Sequence, residues 1–129
     1  MVQTVSPQLV WELVKTNNSF LRKNLHGNIF SAEKGNLYAK HSYKYSGIVN
    51  DKAVDIREGS GGVEVTTKRA KTATKPNTAV TKAVSKKGAR RAIKAVRKQV
   101  GSYRADLANA AAARMSAVHR SLRKAGAKK

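Results

Sequence analysis

The sequence predicts an α+β protein: a small N-terminal helix and antiparallel strands, followed by a basic arm and two C-terminal helices. Two observations carry this prediction. The first is a change of period along the chain, from short alternating apolar segments separated by turn residues to long stretches with apolar residues three and four apart. The second is a break in charge. Residues 1–64 hold 8 Lys/Arg and 6 Asp/Glu, whereas residues 65–129 hold 19 Lys/Arg and a single acid, Asp106. The 129 residues suit one domain with extensions, and the expected division is a body over 1–68, an arm over 69–84 and a helical part over 85–129.

Ser6-Pro7 starts the first helix, because Ser6 can cap free N–H groups and Pro7 fits the first helical position. Leu9, Val10, Leu13 and Val14 share a face up to about Lys15, with Trp11 beside them as a core residue. Asn17-Asn18-Ser19 ends it with turn chemistry. Phe20–Lys23 and Asn28–Ser31 read as strands around His26-Gly27. Three further strands are expected at Gly47–Val49, Ala53–Arg57 and Val63–Lys68, where Val54/Ile56 and Val63/Val65 alternate with polar residues. Gly59-Ser60-Gly61-Gly62 turns the last pair.

Lys68–Thr81 is basic, rich in Thr and Ala, and reads as a linker or an arm lying along a partner. Ser85 is a cap candidate for a helix running to about Val100 and stopping at Gly101, with Ala89, Ile93, Val96 and Val100 at helical spacing. A second helix is expected from about Ala105 to Lys124, carrying the stripe Leu107, Ala111, Met115, Val118 and Leu122. After Val65 these segments hold few large apolar residues. Burial of each contributes about 1.5–3 kcal/mol, too little to offset the ordering entropy of some sixty residues, so the second half is expected to order fully only against a partner.

A formal charge of +20 calls for a polyanion, and nucleic acid is the leading candidate. No catalytic constellation stands out. His26, His41 and His119 lie far apart, and Glu58 and Glu64 flank a hairpin turn without a nucleophile. The Gly59–Gly62 turn lacks the Gly-Lys-Ser/Thr ending of a phosphate loop, and the absence of cysteine excludes a thiolate zinc site. No apolar run has membrane-spanning length, and Met1–Gln8 has no signal-like apolar core, so an intracellular protein without cofactor is expected.

The candidate phosphate contacts are Lys68, Arg69, Lys71, Lys75, Lys86, Lys87, Arg90, Arg91, Lys94, Arg97, Lys98, Arg104 and Arg114, with Arg22, Lys23, Lys40 and Lys44 serving the body. Tyr38, Tyr43 and Tyr45, interleaved with Lys40, His41 and Lys44, suit either stacking on unpaired bases or packing of the body. A linker-histone-like chromatin protein is the rival reading. It leaves unexplained the hairpin-rich body and a basic set in which 10 of 27 residues are arginine.

The run Trp11…Asn17-Asn18-Ser19-Phe20-Leu21-Arg22-Lys23, then Asn36-Leu37, Ser42-Tyr43-Lys44-Tyr45-Ser46-Gly47-Ile48-Val49 and Lys52-Ala53-Val54, resembles the eukaryote-specific family of large-subunit ribosomal protein number twenty-eight. The likeness continues to Tyr103-Arg104-Ala105-Asp106-Leu107, where relatives commonly have proline in place of Ala105. The resemblance implies an α+β fold, no enzymatic activity, and placement on large-subunit rRNA beside neighbouring ribosomal proteins. It also implies no small-molecule substrate, membrane or homo-oligomer, and residence in cytoplasmic ribosomes after nucleolar assembly. A nucleolar ribosome-biogenesis factor family carries a related N-terminal domain, which keeps that class as an alternative.

Overall fold

The computed structural model describes residues 5–72, 75 and 78–126. Elements follow in the order α1 (Pro7–Val14), β1 (Leu21–Lys23), β2 (Ile29–Ser31), β3 (Val54–Gly59), β4 (Gly62–Lys68), β5 (Val80–Ser85), α2 (Ala89–Tyr103) and α3 (Ala108–Gly126). This is the α+β architecture expected, with two antiparallel sheets, β1-β2 and β3-β4-β5.

The larger sheet is built on alternation. Val54 and Ile56 of β3 and Val63 and Val65 of β4 are all buried, while Asp55, Arg57, Glu64 and Thr66 point to the other face. Ile56 sits opposite Val65, and the hairpin closes at Gly59 and Gly62 across a turn in which Gly61 takes φ 86°. Helix α3 lies on the buried face and α2 packs along α3. The predicted stripe supplies this contact: Leu107, Ala111, Met115 and Val118 are buried and Leu122 packs at its edge. Ala110 and Ala111 are buried, and their small side chains let the helix approach closely.

The helices thus complete one core with the strands, which departs from the expectation that the second half orders fully only against a partner. Counting large side chains in that half alone missed the contribution of Ala92, Val96, Val100 and Val118, which are buried in the same cluster as the four strand residues.

Four local expectations are corrected. Gly47–Val49 is a turn rather than a strand, because polar side chains capture its backbone: Ser46 Oγ accepts from Val49 N–H, and Asn50 Nδ2 donates to the carbonyls of Tyr43 and Ser46. Within the segment read as linker or arm, Val80–Ser85 is a strand paired in full with β4, from Val63↔Ser85 to Lys68↔Val80. Ser85 therefore ends a strand instead of capping a helix, and α2 begins four residues later, at Ala89 after Gly88, and runs through Gly101 to Tyr103. Finally, α1 is capped by Ser6 as expected but buries no residue fully; Leu9 and Leu13 are exposed, and Trp11 is half-buried outside the main core. Trp11 packs instead against His41 and Tyr43, at ring-centroid distances of 5.0 and 6.1 Å.

A second, polar hub holds the loop between β2 and β3. The buried Glu33 carboxylate accepts from the Ser46 hydroxyl (3.0 Å), from Ile48 N–H (3.3 Å) and from Asn36 Nδ2 (3.2 Å). Asn36 also donates to the carbonyl of Lys40 (2.8 Å). Gly35 and Gly47 cross here so closely that a Cβ on Gly35 would lie 3.0 Å from the Gly47 Cα.

Candidate nucleic-acid interface

Helix α2 buries Ala92, Val96 and Val100, one every fourth residue, so its remaining circumference is free to carry charge. Arg90, Arg91, Lys94, Arg97 and Lys98 are all exposed on it, preceded by exposed Lys86 and Lys87. Four ion pairs occur among the described residues, and none involves α2. Lys94 faces Arg90 and Arg91 one turn before it and Arg97 and Lys98 one turn after it, and every such like-charge pair destabilises a helix by roughly 0.2–0.5 kcal/mol. An isolated helix of this composition is self-repelling. Its packing on α3 offsets the repulsion, and an apposed polyanion would remove it.

The other predicted cations divide into two groups. Arg22, Lys23, Lys40, Lys44, Arg69, Lys71 and Lys75 are exposed, as are the Arg120, Arg123 and Lys124 side chains of α3, which the sequence reading did not single out. Their signal was available: they lie off the Leu107–Leu122 stripe, on a helix with no acid. Lys68, Arg104 and Arg114, by contrast, each direct at least one donor into the fold. Lys68 Nζ reaches the Asn50 carbonyl at 3.0 Å. Arg104 donates to the carbonyls of Lys44 (2.7 Å) and Lys52 (3.0 Å) and to both Asp106 oxygens. Arg114 Nε donates to the Ile56 carbonyl at 3.2 Å, tying α3 to the edge strand β3.

The three tyrosines also separate. Tyr43 is half-buried edge-on to Trp11. Tyr38 and Tyr45 form a T-shaped pair, centroids 5.3 Å apart and planes at 71°, with Lys44 Nζ 5.5 Å from the Tyr45 ring centroid. Around them opens a groove of about 480 Å³ lined by Asn28, Ile29, Phe30, Tyr38, Lys40 and Tyr45. Among the described residues no three His, Asp or Glu side chains gather as a metal site would require.

Comparison with known proteins gives this surface a family. The Ribosomal L28e protein family model matches residues 9–121, from within α1 to near the end of α3. The chain belongs to that family. It is 37% identical over 122 residues to the large ribosomal subunit protein eL28 of Dictyostelium discoideum, covering 94% of this chain and 92% of that protein. The eL28 protein of Schizosaccharomyces pombe is 34% identical, with 89% of this chain and 91% of that protein covered. That of Trypanosoma cruzi is also 34% identical, with 86% and 74% covered. The L28e match takes in the basic helices as well as the strands.

One L28e residue quoted in the sequence resemblance acts in the fold itself. The Tyr103 hydroxyl, at the end of α2, donates to the carbonyl of Lys68 at the end of β4. Burial pushes its pKa above the ordinary tyrosine value, against smaller opposing pulls from the Ala53 backbone and the Arg104 guanidinium. A raised folded-state pKa stabilises the fold below the unfolded value of about 10, and that contribution is lost as pH rises through the folded value. Tyr103→Phe is expected to cost about 1 kcal/mol at neutral pH. Denaturant titrations carried upward from about pH 9, through the unfolded value of about 10, should show the parent losing its advantage over the variant; a difference that stays constant as the pH rises would contradict this account.

Proposed function

We propose that the chain is a structural constituent of the large ribosomal subunit that neutralises rRNA phosphates with the outward face of α2 and the exposed cations around it. The relatives are named for the large ribosomal subunit. The observation that carries the RNA reading is the run Arg90, Arg91, Lys94, Arg97 and Lys98, exposed on one helix with no ion-pair partner among the described residues. Each phosphate met by such a side chain releases condensed counterions, giving affinity without base preference. Arg22, Lys23, Lys40, Lys44, Arg69, Lys71, Lys75, Lys86 and Lys87 extend the phosphate-binding set, whereas Lys68, Arg104 and Arg114 support it by holding the fold. Neighbouring ribosomal proteins are the other partners, in cytoplasmic ribosomes reached through nucleolar assembly.

Sedimentation of a tagged chain with separated subunits in about 0.5 M salt tests this, since phosphate-only attraction is strongly weakened there. Near-stoichiometric co-migration with the large subunit is expected. Recovery at the top of the gradient would overturn the assignment and reopen the chromatin and assembly-factor readings.

A further inference from the structure

We infer that the groove between Phe30, Tyr38 and Tyr45 is a seat for one unstacked nucleobase of single-stranded RNA, with Lys40 and Lys44 holding the flanking phosphates. The inference rests on the RNA reading above but assigns a different surface, one that recognises a base rather than a backbone.

Three observations point to this occupant. The ring surfaces are available: Phe30 is 48% and Tyr38 49% exposed, so two aromatic side chains stand partly open at the groove. The edge-on Tyr38–Tyr45 pair leaves the faces of the rings unstacked on one another, which is the arrangement a third planar group completes. The groove's cations complement phosphate, because Lys40 lines it, Lys44 lies over Tyr45, and it has no carboxylate in its lining. An apolar protein segment would leave those ammonium groups without a counter-ion; a nucleotide supplies ring and anion together.

The rim is also held in place. Ser31 N–H donates to the Ala39 carbonyl (2.8 Å), Phe30 and Lys40 form an antiparallel bridge, and Asn36 Nδ2 fixes the Lys40 carbonyl (2.8 Å). Ala39, between Tyr38 and Lys40, takes φ 54°, a left-handed conformation unfavourable for alanine that persists because these contacts over-determine it. Tyr43 has no part in the groove; its ring is engaged with Trp11.

The test uses the full chain with two RNA probes of equal phosphate count: a single strand carrying a fluorescent purine analogue, and a perfect duplex. Tyr38→Ala and Phe30→Ala are each expected to lower single-strand affinity about tenfold, the scale of one base–aromatic stack, while leaving duplex affinity unchanged. Tyr38→Phe, which keeps the ring, should retain single-strand affinity. Equal single-strand affinity of the parent and both alanine variants overturns the proposal. If those variants bind the single strand normally yet fail to enter large subunits, the groove seats a protein neighbour instead. Duplex binding with no single-strand binding by the parent overturns the base seat and leaves the α2 reading standing, whereas failure to bind either probe overturns both.

Discussion

A chain carrying Arg90→Glu, Arg91→Glu and Lys94→Glu together is expected to stay at the top of the gradient while the parent sediments with the large subunit. The substitutions change formal charge by six, from +20 to +14, all within two turns of α2. Each lost phosphate contact removes close to one unit from the slope of log affinity against log salt, so the slope should fall by about three. At about 0.15 M salt that corresponds to roughly a hundredfold loss before repulsion between the new carboxylates and phosphate is added. Folding should survive, because all three side chains are exposed and the core positions of α2 are Ala92, Val96 and Val100. The helix gains from the change: a glutamate introduced at 94 meets Arg97 and Lys98 one turn later, replacing repulsion by attraction. A melting temperature equal to or above that of the parent, with sedimentation lost, separates binding from folding. Normal incorporation of the triple variant would remove α2 from the RNA interface.

The largest single-residue effect on stability is expected at Gly47. A Cβ there would lie 2.0 Å from the Lys34 carbonyl oxygen and 2.8 Å from the Gly35 Cα, and both are backbone atoms that cannot rotate away. Relief requires the Lys34–Gly35 segment to withdraw from Ser46–Ile48, and that movement pulls the Glu33 carboxylate from the Ser46 hydroxyl and Ile48 N–H. The cost is at the upper end of what overpacking produces, about 3 kcal/mol, with a fall in Tm on the order of 10 °C. Gly101→Ala is the control, since nothing lies within 4 Å of its built Cβ and the position is helical. That variant should be neutral or up to about 1 kcal/mol more stable. A Gly47→Ala chain melting within about two degrees of the parent would mean the loop crossing yields freely.

The parts of this fold that were readable from sequence are those where one face must be apolar. Leu107, Ala111, Met115, Val118 and Leu122 announced α3 because their spacing serves only a helix, and Val54/Ile56 against Val63/Val65 announced a hairpin because period two serves only a strand. Strand β5 gave no such signal. All of its residues are exposed or half-buried, so it is held through its ladder with β4 and its Lys and Thr side chains read as linker. Ser85 has genuine capping chemistry, but a place opposite Val63 in that ladder outweighs it. For the interface, composition identified the cations of α2 because no acid accompanies them. It could not distinguish Arg104 or Arg114, whose donors are used by backbone carbonyls some fifty residues away in sequence, a relation that no local pattern encodes. Phe30 was read as a strand residue, and its place beside Tyr38 and Tyr45 depends on its bridge to Lys40, ten residues further on.

The order in which the shared core is made has a consequence for the chain's first moments. Val54, Ile56, Val63 and Val65 leave the synthesising ribosome long before Met115 and Val118, their cover on α3, exist. At about 5–20 residues per second, the apolar face of the sheet stands open for several seconds, beside a growing run of unpaired cations. In a cell crowded with RNA, that interval invites premature capture of a half-built chain. A companion that shields the strands and the basic helix together would have to act on the nascent protein, before any subunit is there to receive it.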